Sequence, residues 1–190
     1  MTRNIKHGLI LALVGSAAIA DVSQAAEVRP AIVAGFDTGG DKIVSVTFTN
    51  GESDSIRAND GFYLGAGVSV LNDDKNIEFL GTVSYKFATI HASNGDVDWT
   101  RVPLDALLFY RMQSFRVGAG VTYVMSPKVS GSGVAGGLNV KIDDALGFLV
   151  QADYLLGKVN IGVRGTFVDY KAGGRTASGN GVGITFGFTF

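Results

Sequence analysis

A two-residue alternation of apolar and polar side chains recurs along the chain, and it restricts the fold more than any other feature. In residues 77–89, Phe79, Tyr85 and Phe87 are separated by polar positions such as Glu78 and Lys86. Successive side chains of a strand point to opposite faces, so this period predicts a strand with one apolar and one polar face. The alternation recurs in residues 30–36, 62–70, 102–110, 115–123, 146–154, 159–167 and 182–190. Eight strands are therefore predicted, most of them close to the roughly 9–11 residues that cross a bilayer at a tilt.

The connections between these predicted strands alternate in length. Short turns are predicted at residues 72–75, 113–114 and 157–158, and long connections at 38–58, 91–99, 127–144 and 172–180. The first long connection contains a predicted hairpin, 42–49 and 52–56, around Asn50-Gly51, a pair favoured in tight turns. Short periplasmic turns and long external loops are typical of outer-membrane barrels, and an even strand number places both termini in the periplasm.

Composition agrees with a membrane-spanning all-β fold. Charged residues make up 17% of the chain, against roughly 25% in a soluble domain, and no apolar run reaches the ~18 residues of a spanning helix. The absence of cysteine excludes disulfides, and a net charge of -1 gives no electrostatic basis for binding nucleic acid. We therefore predict a closed, antiparallel, up-and-down transmembrane β-barrel. A soluble barrel of the lipocalin type is the alternative, but its water-facing surface would carry more Lys and Glu than these strands do.

The first residues have the features of an export signal. Arg3, Lys6 and His7 precede a short apolar stretch, residues 8–20, which is followed by small residues. This order predicts a signal peptide over residues 1–26 and a barrel domain over residues 27–190. Cleavage is expected near Ala26, with Ala20 as the second choice. The apolar stretch is too short for a helical anchor.

The C-terminal segment carries a family resemblance. Residues 182–190 alternate apolar side chains and end on a phenylalanine. This resembles the C-terminal strand by which outer-membrane proteins are recognised for assembly, and the whole mature chain is similar to small eight-stranded barrels related to OmpX and the OmpA transmembrane domain. The resemblance implies an outer-membrane location, contact with the barrel assembly machinery, and contact with outer-membrane lipids and lipopolysaccharide. It implies an assembly signal formed by Phe186, Phe188 and Phe190. It implies no cofactor, no metal and no particular external ligand.

The inward face of the predicted barrel carries charges. By parity the inward set is Glu78, Lys86, Arg101, Asp105, Arg111, Arg116, Gln151, Asp153 and Arg164. Arg111 and Arg116 are expected to face each other across a turn, a repulsive pair unless acids flank it. Plausible registers supply Glu78 on one side and Asp153 on the other. Because confined charges persist only when paired, we interpret this set as a structural plug, with a narrow ion or proton path as the alternative.

Two further motifs are interpreted as loop features. Residues 131–136 match a dinucleotide-binding glycine pattern, but no helix signal or βαβ unit follows, so a flexible external loop is predicted. Asp37, Asp41, Asp96 and Asp98 lie near predicted loop starts. They are expected to be ordinary turn and loop acids, with cation bridging to lipopolysaccharide as the alternative.

The last motif is a candidate catalytic one. His91, Ser93 and Asn94 are similar to the His-x-Ser-Asn signature of outer-membrane lipid A deacylases. Such a pair needs an acid to orient the histidine. We expect no acid on the face of His91, because Asp105 points into the barrel by the alternation of side chains. The motif also lies mid-chain, whereas the deacylase family carries it nearer the C-terminus. The sequence therefore favours a non-enzymatic barrel acting in envelope integrity or surface interaction, with a deacylase or a narrow channel as alternatives.

Overall fold

The computed structural model describes residues 26–47, 53–92 and 94–190, which form twelve strands. The strands are β1 (Glu27–Gly39), β2 (Lys42–Thr47), β3 (Ser53–Arg57), β4 (Gly61–Leu71), β5 (Ile77–Ala92), β6 (Gly95–Arg111), β7 (Phe115–Gly131), β8 (Asn139–Lys141), β9 (Ala145–Leu156), β10 (Val159–Ala172), β11 (Arg175–Ser178) and β12 (Gly181–Thr189). The predicted signal peptide and the Asn50-Gly51 turn lie outside the described residues, apart from Ala26.

Eight of these strands close into a barrel. The order is β1, β4, β5, β6, β7, β9, β10 and β12, with every neighbouring pair antiparallel. β12 pairs back onto β1 from Gly39↔Gly181 to Ala31↔Thr189, which closes the ring. The prediction of an all-β, closed, eight-stranded antiparallel barrel is confirmed. Among the described residues, no helix is long and apolar enough to cross a membrane.

The two ends of the barrel differ. At one end, called the turn end here, residues 72–76, 112–114 and 157–158 connect the strands. The other end, called the loop end, carries the β2–β3 hairpin together with β8 and β11. There β10 and β11 are joined by Gly173 and Gly174, whose φ angles of 56° and 80° are the left-handed values that a tight hairpin turn requires.

The predicted long loop at residues 91–99 is wrong. β5 continues to Ala92 and β6 begins at Gly95, so only two residues connect them. The polar residues that indicated a loop are paired across the hairpin instead, with His91 opposite Asp96 and Thr89 opposite Asp98. Polar side chains are compatible with strand structure where the outer surface is solvated, and the alternation alone cannot show how far a strand continues.

The outward face of the barrel is apolar along all eight strands. Its large side chains are between about two-fifths and two-thirds exposed, as in Phe36 (41%), Phe62 (59%), Leu146 (66%) and Val163 (62%). The terminal strand follows the same rule, since Phe186 and Phe190 also point outward. The inward face holds a small apolar cluster of Ala31, Leu80, Leu107, Phe109 and Leu149.

A second apolar core lies at the loop end. This loop-end cluster consists of Ile56, Ala58, Ile90, Val97, Trp99, Val124, Val129, Ala145, Val168 and Tyr170. Trp99 and Tyr170 meet edge to face, with ring centroids 5.5 Å apart. The barrel is therefore covered at this end by packed side chains from the extended strands and the β2–β3 hairpin.

A β-bulge in β7 sets which side chains join that cluster. The register between β6 and β7 shifts by one residue beside Ser126, whose φ of 50° is unusual for a serine. Asp144 holds the bulge by accepting hydrogen bonds from the Ser126 backbone N–H (2.8 Å) and the Tyr123 hydroxyl (3.1 Å). Beyond the bulge, Val129 is buried opposite Trp99, while Lys128 lies opposite Thr100. The bulge thus turns an apolar residue inward.

Candidate functional site

Four of the predicted inward charges form a network near the turn end. Arg111 lies opposite Arg116, and Arg116 lies opposite Asp153 on the next strand. Glu78 is fully buried between the two arginines and pairs with both, at 2.6 Å for Arg116 Nη1. Asp153 accepts from Arg116 Nε at 2.7 Å, and the Ser69 hydroxyl donates to Glu78. Each arginine is therefore matched by a carboxylate within hydrogen-bond distance.

Gln151 connects this network to a second ion pair that crosses the barrel. Its amide nitrogen donates to Asp153, and its oxygen accepts from Arg164 Nε at 2.9 Å. Arg164, on β10, then pairs with Asp105 of β6 at 2.9 Å. Because β6 and β10 are separated by two other barrel strands, this pair spans the interior instead of running along the wall.

The remaining inward bases, Lys86 and Arg101, are directly opposed on β5 and β6. Lys86 pairs with Asp37 at 2.6 Å. Arg101 donates to the Asp60 carbonyl at 2.8 Å and stacks on Trp99. The expectation that Asp37 is a loop acid is wrong, because β1 continues to Gly39 and Asp37 points into the barrel.

Residues 58–60, called the inward segment here, cover these upper charges. The segment joins β3 to β4, and three barrel side chains bind it. Trp99 Nε1 donates to the Ala58 carbonyl at 3.1 Å, and Lys86 donates to the Asn59 side chain at 3.0 Å. Arg101 supplies the third bond, to Asp60. Sequence reasoning missed this segment, since nothing in residues 38–58 indicates that the end of a loop turns back over the barrel.

The inward charges leave little open space. The cavity between them, lined by Asp37, Lys86, Arg101, Asp105 and Arg164 among others, measures about 20 Å³, which is room for about one water molecule. Glycines on the wall make space for the acids themselves. A side chain at Gly162 would overlap the Asp153 carboxylate, and one at Gly183 would overlap Asp37.

The four acids considered as a cation site do not come together. Asp37 is inside the barrel, Asp41 accepts from the Ser178 N–H, and Asp98 accepts from the Thr89 hydroxyl. Within residues 26–47, 53–92 and 94–190, no group of three or more His, Cys, Asp or Glu residues is placed to hold a metal. Residues 131–136 contain the end of β7 and a single helical turn, Gly133–Ala135.

His91 does have an acid on its own face. Asp96 lies directly opposite it, and His91 Nδ1 is 3.0 Å from Asp96 Oδ1. The expectation that no acid accompanies this histidine is therefore wrong, and the error follows from assigning residues 91–99 to a loop. The imidazole is well exposed, with 79% of its side chain accessible. Ser93 lies outside the described residues. Another serine, Ser132, lies beside the pair, where its hydroxyl accepts a hydrogen bond from the Asp96 N–H at 3.1 Å.

The loop end also forms an open cup above the loop-end cluster. It measures about 500 Å³, with Trp99 and Tyr170 at its floor. Its walls are mainly aliphatic and come from β2, β8 and the residues on either side of β8, and Lys42 and Arg175 also line it. Sequence reasoning missed this cup, because its lining residues are distant in sequence and most of them lie in segments predicted as loops.

Comparison with solved structures identifies the fold. Ail of Yersinia pestis, solved in complex with the heparin analogue sucrose octasulfate, matches at a TM-score of 0.51 with 12% identity, over 88% of this chain and 100% of that one. The chain has the fold of the small eight-stranded outer-membrane barrels. Neisserial surface protein A is also similar, at a TM-score of 0.48 and 15% identity, over 88% of this chain and 100% of that one. The chain matches no protein-family model, and comparison with curated proteins gives no match.

The position of Glu78 leads to a stability prediction. Glu78→Ala leaves Arg111 and Arg116 opposed with one fewer acid between them, so we expect a loss of about 3–5 kcal/mol in the free energy of unfolding. Urea unfolding in lipid vesicles, followed by Trp99 fluorescence, measures it.

The matched control is Asp74→Ala, which removes an exposed acid from the neighbouring turn. Its expected change is within about 0.5 kcal/mol. Equal losses in the two variants would contradict a central role for Glu78.

Proposed function

We propose that this chain is an exported outer-membrane barrel that is non-enzymatic, has a sealed interior, and acts in envelope integrity or surface interaction through its loop end. The apolar outward face would contact outer-membrane lipids, and the loop end would lie outside the cell beside lipopolysaccharide. Phe186, Phe188 and Phe190 would form the signal read by the barrel assembly machinery.

The observation that carries this proposal is the filling of the interior. Charged side chains from β1, β5, β6, β7, β9 and β10 meet inside the barrel and leave a cavity of about 20 Å³. The inward segment and the loop-end cluster lie above them. An eight-stranded barrel is just wide enough for its side chains, so an interior occupied by paired charges supports a plug over a pore.

Conductance in planar bilayers tests the sealed interior. We expect at most very small currents, because any ion passing through would have to displace buried ion pairs. Insertion is verified by the gel shift on boiling of the recovered protein, and bilayers without protein provide the baseline. Large, stable and reproducible conductance steps would show that the interior is open.

A second candidate function, lipid A ester hydrolysis, is favoured by the contact between His91 and Asp96. The carboxylate at Nδ1 would orient the imidazole and leave Nε2 free to take a proton from a serine hydroxyl, as a histidine base requires. The nucleophile would be Ser93, as the resemblance to lipid A deacylases implies, or Ser132.

Mass spectra of lipid A from cells with and without the protein separate the two functions. The non-enzymatic proposal predicts no change in acylation. The hydrolase predicts loss of one acyl chain, abolished by His91→Asn and reduced by Asp96→Asn, while Ser93→Ala and Ser132→Ala identify the nucleophile. Thr89→Ala, which changes a neighbouring side chain on the same strand, is the matched control. Deacylation by the parent protein that is lost in His91→Asn would overturn the non-enzymatic proposal.

A further inference from the structure

The cup at the loop end has the form of a small-molecule site. Its volume of about 500 Å³ falls within the roughly 300–1,000 Å³ usual for ligand pockets, which are mostly apolar with a few polar groups. The floor is aromatic and already packed, since Trp99 and Tyr170 belong to the loop-end cluster. The cup is therefore a concavity in an ordered part of the fold.

The walls of the cup expose aliphatic side chains to solvent. Val140 is 42% exposed, and Ile43, Val44, Leu138 and Ile142 are partly exposed beside it. Covering apolar surface contributes about 25 cal/mol per Å². These side chains offer no hydrogen bonds, so they suit a hydrocarbon chain and not a saccharide.

The charged groups of the cup are two cations and one acid. Lys42 and Arg175 line it, and neither has an ion-pair partner among the residues the structure describes. The acid in the lining, Asp41, already accepts a hydrogen bond from the Ser178 N–H at 2.8 Å. Two cations against one carboxylate leave the lining with a net positive charge, which favours an anionic group.

From these features we propose that the cup binds a fatty acid: the alkyl chain lies against the aliphatic walls, and the carboxylate lies between Lys42 and Arg175. One chain with a small head group suits the cup's size, whereas a lipid with several chains does not. The inference rests on the proposed function, in which the loop end makes the external contacts, and it names the class of ligand.

Trp99 provides a direct readout, because it is the single tryptophan of the chain and forms the floor of the cup. The full-length mature protein in phosphatidylcholine nanodiscs is titrated with a brominated dodecanoic acid, since bromine quenches a tryptophan that lies near it and Trp99, although buried, lines the cup. We expect saturable quenching by the acid. The brominated dodecanol of the same length, which lacks the anionic head, is expected to bind at least tenfold more weakly.

Variants locate the binding. The double variant Lys42→Gln with Arg175→Gln should weaken binding of the acid at least tenfold, and Val140→Asp should abolish the saturable component. Lys158→Gln, at the turn end, and Val134→Asp, an exposed valine outside the cup lining, are the matched controls and should bind like the parent. The gel shift on boiling verifies that each variant is folded.

Several results would overturn the inference. Quenching that rises without saturating, or that is unchanged in Val140→Asp, places the acid in the bilayer and not in the cup. Equal binding of acid and alcohol, unaffected by loss of Lys42 and Arg175, refutes the role of the two cations. Saturable binding of a sulfated oligosaccharide or an extended peptide instead of the acid assigns the cup to another ligand. A folded, non-conducting barrel with no saturable quenching contradicts this inference alone and leaves the sealed barrel standing.

Discussion

Ion pairs between inward side chains both line and cross the interior of the barrel. An eight-stranded barrel with an apolar outer face must place its polar side chains inward, where charges are stable only if paired. Here Glu78 joins two opposed arginines, Asp153 extends the pairing, and Gln151 connects it to the pair between Arg164 and Asp105. The same contacts that satisfy the charges fill the space through which ions would otherwise pass.

The loop end follows a different physical rule. Above the charged interior, the extended strands and the β2–β3 hairpin bury an apolar cluster around Trp99, and the inward segment ties that cluster to the barrel. The Ser126 bulge contributes by turning Val129 inward. The interior of the barrel is therefore packed mainly by paired charges, with one small apolar cluster, while the loop end has a larger hydrophobic core. The cup lies on this hydrophobic core, which contains Trp99 and Tyr170.

The sequence could predict which face of a strand each side chain is on, because that depends only on the alternation of side chains along the strand. A period of two is enough to place Glu78, Arg116 and Asp153 on one face, and the Gln113-Ser114 turn is enough to oppose Arg116 to Arg111. The alternation cannot predict where strands end, so it does not indicate that β1 continues through Asp37 or that β6 places Asp96 opposite His91. It also fails beyond a bulge, because one extra residue exchanges the two faces. The inward segment and the cup depend on contacts between distant segments, which no local pattern encodes.

A double-mutant cycle across the interior measures whether the interior charges stabilise the barrel by neutralising one another. Arg164→Met, Asp105→Leu and the double variant are unfolded by urea in lipid vesicles. Each single variant leaves the opposite charge buried without its partner. We therefore expect the loss in the free energy of unfolding of the double variant to be smaller than the sum of the two single losses, by at least about 1 kcal/mol. Single losses that add up to the loss of the double variant within about 0.5 kcal/mol would show that the two charges do not stabilise each other.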